Sequence, residues 1–70
     1  MNTLAICNFL RQTGGISVDA RLFSAFDLVS IAQTAREANR TLVIKFASAM
    51  SQMTLSAVAN AGGSNVVYEF

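Results

Sequence analysis

Apolar residues fall three and four apart over Leu28, Ile31, Ala32 and Ala35, and again over Leu55, Val58 and Ala59. That spacing lines one stripe along a helix. Beyond each stretch the period drops to two. Val18, Ala20 and Leu22, then Leu42, Ile44 and Phe46, then Val66, Tyr68 and Phe70 alternate with other residues. The alternation predicts three strands whose named residues share one buried face. Ser24 with Asp27, and Ser51 ahead of Gln52, read as helix N-caps. Gly14-Gly15, Ala38-Asn39 and Gly62-Gly63 fall where helices should end in a left-handed turn.

These signals recur at a fixed interval. Laying residues 24–46 on 48–70 superimposes Ser24 on Ser48, Ala25 on Ala49, Ala35 on Ala59 and Phe46 on Phe70. Ile31 meets Leu55, Leu42 meets Val66 and Val43 meets Val67. The same shift towards the N-terminus sets Cys7 against Ile31, Val18 against Leu42 and Arg21 against Lys45. Three copies result, at about 1–22, 23–46 and 47–70, in a single domain spanning 1–70. Strands linked through helices pair in parallel by right-handed crossovers. The expected fold is therefore α/β, a short solenoid-like two-layer unit of three helix–strand repeats with all helices on one face of the sheet. The leucine-rich-repeat signature is absent, since no asparagine follows Leu42-Val43-Ile44-Lys45-Phe46.

Composition changes this picture in one respect. The chain is 53% hydrophobic and only 13% charged, against roughly 25% charged residues in an average domain. Too little polar surface exists to cover a small fold, so apolar surface should be exposed. The net charge of +1 is scattered over Arg11, Arg21, Arg36, Arg40 and Lys45, without the basic block that nucleic-acid binding needs. No apolar run is long enough to cross a bilayer, and the most apolar segment has Lys45 at its centre. No secretory leader is read, and a lone Cys7 fits a reducing compartment. A cytoplasmic location, away from membranes, is expected.

The chain holds no histidine, so the commonest general base and metal ligand is missing. Asp19 and Glu69 fall on the strand face away from the helices, and Asp27 and Glu37 near opposite ends of one helix. No carboxylate pair converges. Cys7 takes the place of Ile31 and Leu55 and reads as a small buried hydrophobe rather than a nucleophile. The paired glycines follow helices, where carbonyl oxygens point, and so are turns rather than phosphate cradles. The expectation is no catalytic residue, no metal and no cofactor.

What remains is association. The N-terminal helix carries Ile6 and Phe9 where the second repeat has Ser30 and Gln33, leaving an apolar outer flank where a capped array would be polar. At the other end Phe70 is read as core-facing, with no helix following to cover its strand edge. Along the open strand face a ladder of Arg21, Lys45 and Glu69 is expected, which a second copy stacked head to tail would extend. Ile6, Phe9, Arg21, Lys45, Met50, Met53, Val67, Glu69 and Phe70 are the candidate interface residues. The expected function is a non-enzymatic protein-interaction or self-assembling scaffold module, its partner a protein and foremost a second copy. The alternative is a small inhibitor or immunity-type regulator that binds a foreign protein through its exposed strand face.

Overall fold

The computed structural model describes residues 2–70. Three helix–strand units follow one another: α1 (Thr3–Gln12) and β1 (Gly15–Asp19), α2 (Ala25–Ala38) and β2 (Thr41–Lys45), α3 (Gln52–Gly62) and β3 (Val66–Glu69). Short 3-10 turns at Ala20–Leu22, Ala47–Ala49 and Gly63–Asn65 complete the connections. The strands form one parallel sheet in the order β1-β2-β3. This is the small α/β unit that the alternating periods predicted.

The helix ends follow from local chemistry. Ser24 Oγ accepts from the Asp27 amide and Ser51 Oγ from the Thr54 amide, each satisfying a helix-start donor that would otherwise lack a partner. Asn2 does the same for α1 through the Ala5 amide. At its other end α2 closes on Asn39 in the left-handed conformation (φ 55°, ψ 48°). The amide of Arg40 then bonds back to Ala35 O at 2.8 Å, a Schellman closure. Gly63 (φ 56°) takes the corresponding place after α3. The first pair differs, because neither Gly14 nor Gly15 has positive φ and Gly15 opens β1. A side chain at Gly15 would run into the Thr41 carbonyl, so glycine is required there by close approach to β2.

One sheet face is buried and the other open. Val18, Leu42, Ile44 and Val66 are buried, with Ile16 and Tyr68 packed at the margin. Leu10, Leu28, Ile31, Ala32, Ala35 and Val58 reach them from the helices. Leu28, Ile31, Leu42 and Ile44, the middle unit's apolar residues, are the centre of this core. Burying a side chain of this size stabilises by ~1.5–3 kcal/mol. The helices pack side by side with α2 between α1 and α3, so the middle unit alone has neighbours on both sides.

Three expectations are corrected. The 24-residue interval holds from β2 to β3, where Leu42 pairs with Val66, but not from β1 to β2, where Ile16 pairs with Leu42 and Val18 with Ile44. A first strand running through Leu22 is also overturned, since β1 ends at Asp19 and Ala20–Leu22 is a 3-10 turn. Finally, Leu22, Phe46 and Phe70 are not core-facing. They lie at or beyond the carboxyl ends of the strands and are 76%, 46% and 75% exposed. The strands are too short to carry the alternation that far, and Phe46 leaves β2 in a left-handed conformation (φ 59°, ψ 39°) that turns the chain out of the sheet.

Candidate functional site

The sheet has two free edges, and a groove runs along each. At the β1 edge a groove of about 750 Å³ lies between the outer flank of α1 and the strand, with Phe9, Ile16, Val18, Leu22 and Phe23 in its wall and Ser17 and Asp19 at its strand side. Strand alternation places Ile16 and Val18 on the helix side, and the turn after β1 brings Leu22 and Phe23 into the same groove as Phe9. Ile6 lines its floor but is only 7% exposed. It is a core residue, correcting its assignment to the outer flank, because α1 is rolled so that Ile6 and Leu10 face inward together. Phe9 stays half exposed.

At the β3 edge a second groove, of about 580 Å³, is formed by Met50, Leu55, Tyr68 and Phe70 with Gln52 and Ser56. Tyr68 and Phe70 are stacked, ring centroids 6.4 Å apart. The Tyr68 hydroxyl is buried without a hydrogen-bond partner among the described residues, and burial pushes its pKa up from the ordinary tyrosine value. Met50 is half-buried against the core, whereas Met53, on the first turn of α3, is almost fully exposed.

The open sheet face carries the rows Ser17–Val43–Val67 and Asp19–Lys45–Glu69. The ladder therefore begins with Asp19 rather than Arg21, another consequence of the two-residue change in register. Arg21 is occupied elsewhere. Its amide and guanidinium both donate to the Asp19 carboxylate, with Nη2 to Oδ2 at 2.7 Å. The guanidinium also lies 3.7 Å from the centre of the Phe46 ring, a cation–π stack. Hydrogen bonding from Arg21 holds the Asp19 carboxyl below the usual aspartate value. Asp19, Arg21 and Phe46 form a closed clamp across the ends of β1 and β2.

The other arginines are also engaged. Arg36 Nη1 donates to Asn60 O and Arg40 Nη2 to Arg11 O, fastening α2 to the last turns of its neighbours, where helix carbonyls lack partners. Arg11 Nη2 lies 3.6 Å from Glu37 on α2. Cys7 is half-buried with Sγ near the Ser30 carbonyl. Among the described residues no three of His, Cys, Asp or Glu converge on a point where a metal ion could sit, and no helix is long and apolar enough to cross a membrane.

Of the candidate interface residues, Met50 and Phe70 meet in the β3-edge groove, Phe9 faces the β1-edge groove, and Lys45, Val67 and Glu69 share the open sheet face. Ile6 lies buried in the floor of the β1-edge groove, and Arg21 and Met53 join none of these groups. The sequence reading missed Ile16, Leu22 and Phe23 at one edge and Leu55 at the other. For Ile16 a signal was present, since Ile16-Ser17-Val18 already alternates directly after Gly14-Gly15. Compared with protein-family models, curated proteins and solved structures, the chain matches none.

Proposed function

We propose that this chain is a non-enzymatic association module that assembles with copies of itself. The observation that supports this most is the pair of apolar grooves alongside the two unpaired sheet edges. An edge strand presents a row of free N–H and C=O groups, and an adjoining apolar surface supplies the burial that makes pairing there favourable. Neither edge is defended by a proline or a lysine: β1 reads Gly-Ile-Ser-Val-Asp and β3 reads Val-Val-Tyr-Glu. The engagement of Arg11, Arg21, Arg36 and Arg40 within the fold leaves little cationic surface for a nucleic-acid backbone. With no disulfide to form, the module suits the reducing cytoplasm.

The test is absolute mass in solution by light scattering over a hundredfold dilution. A mass above 7.5 kDa that rises with concentration is expected. A value of 7.5 kDa throughout overturns the proposal.

A further inference from the structure

We propose that two copies of this chain join through β1, antiparallel and about a two-fold axis at Ser17, fusing their β1-edge grooves into one apolar seam. The inference rests on the self-association reading and adds the joint and its symmetry.

The backbone at this edge is ready for it. Thr41 N donates to Gly14 O at 3.3 Å. In a strand, each residue sends its N–H and C=O to the same side and successive residues alternate. Gly14, Ile16 and Val18 therefore turn their bonding groups towards β2, and Gly15, Ser17 and Asp19 turn theirs outward. The Gly15 carbonyl accordingly accepts from Thr13 Oγ1, at 3.4 Å, on the free side. An axis at Ser17 pairs Ser17 with Ser17 of the other copy and Gly15 with Asp19. Every outward residue of β1 then meets another outward residue. On the helix side the same axis lays Ile16 beside Val18 of the other copy and turns each Phe9 and Leu22 towards the seam.

Charge separates this joint from the head-to-tail stack. Extending the sheet in its own register would place Glu69 of one copy beside Asp19 of the next, since the row already reads Asp19–Lys45–Glu69. Like charges directly opposite are unfavourable. Arg21 softens this through its ion pair with Asp19 but, drawn inward over Phe46 on β2, leaves no free cation for Glu69. An isologous joint meets itself, so it needs a surface without unpaired charge. The β1 flank provides one: among its described residues the ionised side chains are Arg11, directed to Glu37, and Asp19, bound by Arg21. The β3 edge is a poorer choice. It is one residue shorter, and its groove is smaller. A stable joint takes ~800 Å² from each partner, about a fifth of the 4140 Å² of this surface. The α1 flank must therefore close with the strand.

Cysteine pairing tests this in a Cys7→Ser background. Ser17→Cys and Val67→Cys are oxidised mildly, each alone and as a mixture, after light scattering of the unoxidised protein. Ser17→Cys alone should form a disulfide dimer about tenfold faster than either other combination, because residues opposed in a bonded antiparallel pair have Cα atoms ~5.5 Å apart. A mixed Ser17–Val67 product in excess would establish head-to-tail stacking, and self-linking of Val67→Cys a joint at β3. Either overturns the inference. So does association without a Ser17 link, which leaves the self-association reading standing, whereas a monomeric parent protein removes both. Ser17→Lys gives a second readout that needs no oxidation. It should raise the dimer dissociation constant about tenfold through like-charge opposition at the axis, while Val67→Lys should leave it unchanged.

Discussion

Replacing Ile44 by alanine tests the core assignment most directly. Ile44 is completely buried at the middle of the central strand, between Val18 of β1 and Tyr68 of β3. The substitution removes three carbons, worth ~2.4 kcal/mol of transfer free energy at ~0.8 kcal/mol each. If the surroundings do not collapse, a void of about 80 Å³ at ~24 cal/mol per Å³ adds ~2 kcal/mol more. With partial relaxation the cost should be ~2.5–4 kcal/mol. A domain of this size gains only ~3–5 kcal/mol from its core, so Ile44→Ala should be close to unfolded at 25 °C. Val43, one residue away, points to the open face and is half-buried, and Val43→Ala should cost ~1 kcal/mol or less. Urea denaturation followed by far-ultraviolet circular dichroism, at one protein concentration, measures both. Ile44→Val, expected to cost ~0.5–1.5 kcal/mol, keeps the comparison measurable if the alanine variant does not fold. A Val43→Ala loss as large as that of Ile44→Ala would refute the face assignment, since a slip of one residue exchanges the two faces.

Three further outcomes follow from local chemistry. Asn39→Gly should leave stability unchanged or raised, while Asn39→Ala should cost ~1–2 kcal/mol by thermal melting, because the left-handed cap strains any residue with a Cβ and suits asparagine better than alanine. Tyr68→Phe should raise the urea midpoint by ~1 kcal/mol equivalent, since the hydroxyl it removes is buried without a partner. Because burial raises the Tyr68 pKa, wild-type stability should be fully present below the ordinary value of 10.0 and fall as pH rises beyond it. Tyr68→Phe should flatten that fall, and an unchanged alkaline profile would contradict the burial. Asp19 works in the opposite sense: its pKa is lowered chiefly by the Arg21 hydrogen bond, so its stabilisation is present above the ordinary value of 3.8 and lost as pH falls through the lowered one. Arg21→Ala should move the Asp19 carboxyl titration upward in carbon-detected NMR, and an unmoved titration would show that the clamp does not persist in solution.

The fold class was legible because two kinds of periodicity survive small errors of spacing. Ile31, Ala32 and Ala35 mark a helix, and Leu42 and Ile44 a strand, wherever the neighbouring units lie. The registration of β1 on β2 was misread by two residues, yet Val18 still came out on the buried face because the side-chain period of a strand is also two. The ends of the strands were not legible. Leu22, Phe46 and Phe70 continue the apolar alternation by composition, but Asp19 caps a 3-10 turn by accepting from the Arg21 amide, and Phe46 turns left-handed. Neither event has a periodic signature. Ile6 was misplaced because the repeat alignment equated it with Ser30, although Ile6 and Leu10 are four apart on a single helix stripe.

For the proposed self-association, the two-residue change of register decides which charges would face each other between copies. Had Arg21 stood beside Lys45, the open face would read cation, cation, anion, and a head-to-tail stack would bring Glu69 to a free Arg21. With Asp19 in that place the row reads anion, cation, anion, and both ends of the sheet finish on a carboxylate. The single Lys45 lies in the middle of the row, so neither end of it offers a cation to the next copy along the same direction. Arg21, displaced into the turn, neutralises Asp19 and covers Phe46 instead. Cross-strand charge pairs contribute only ~0.2–1 kcal/mol each, too little to drive assembly but enough to select among apolar joints of similar area. In the proposed β1 joint Lys45 and Glu69 would thus help to set the direction without touching the partner, and Asp19 would do so from beside Gly15 of the other copy.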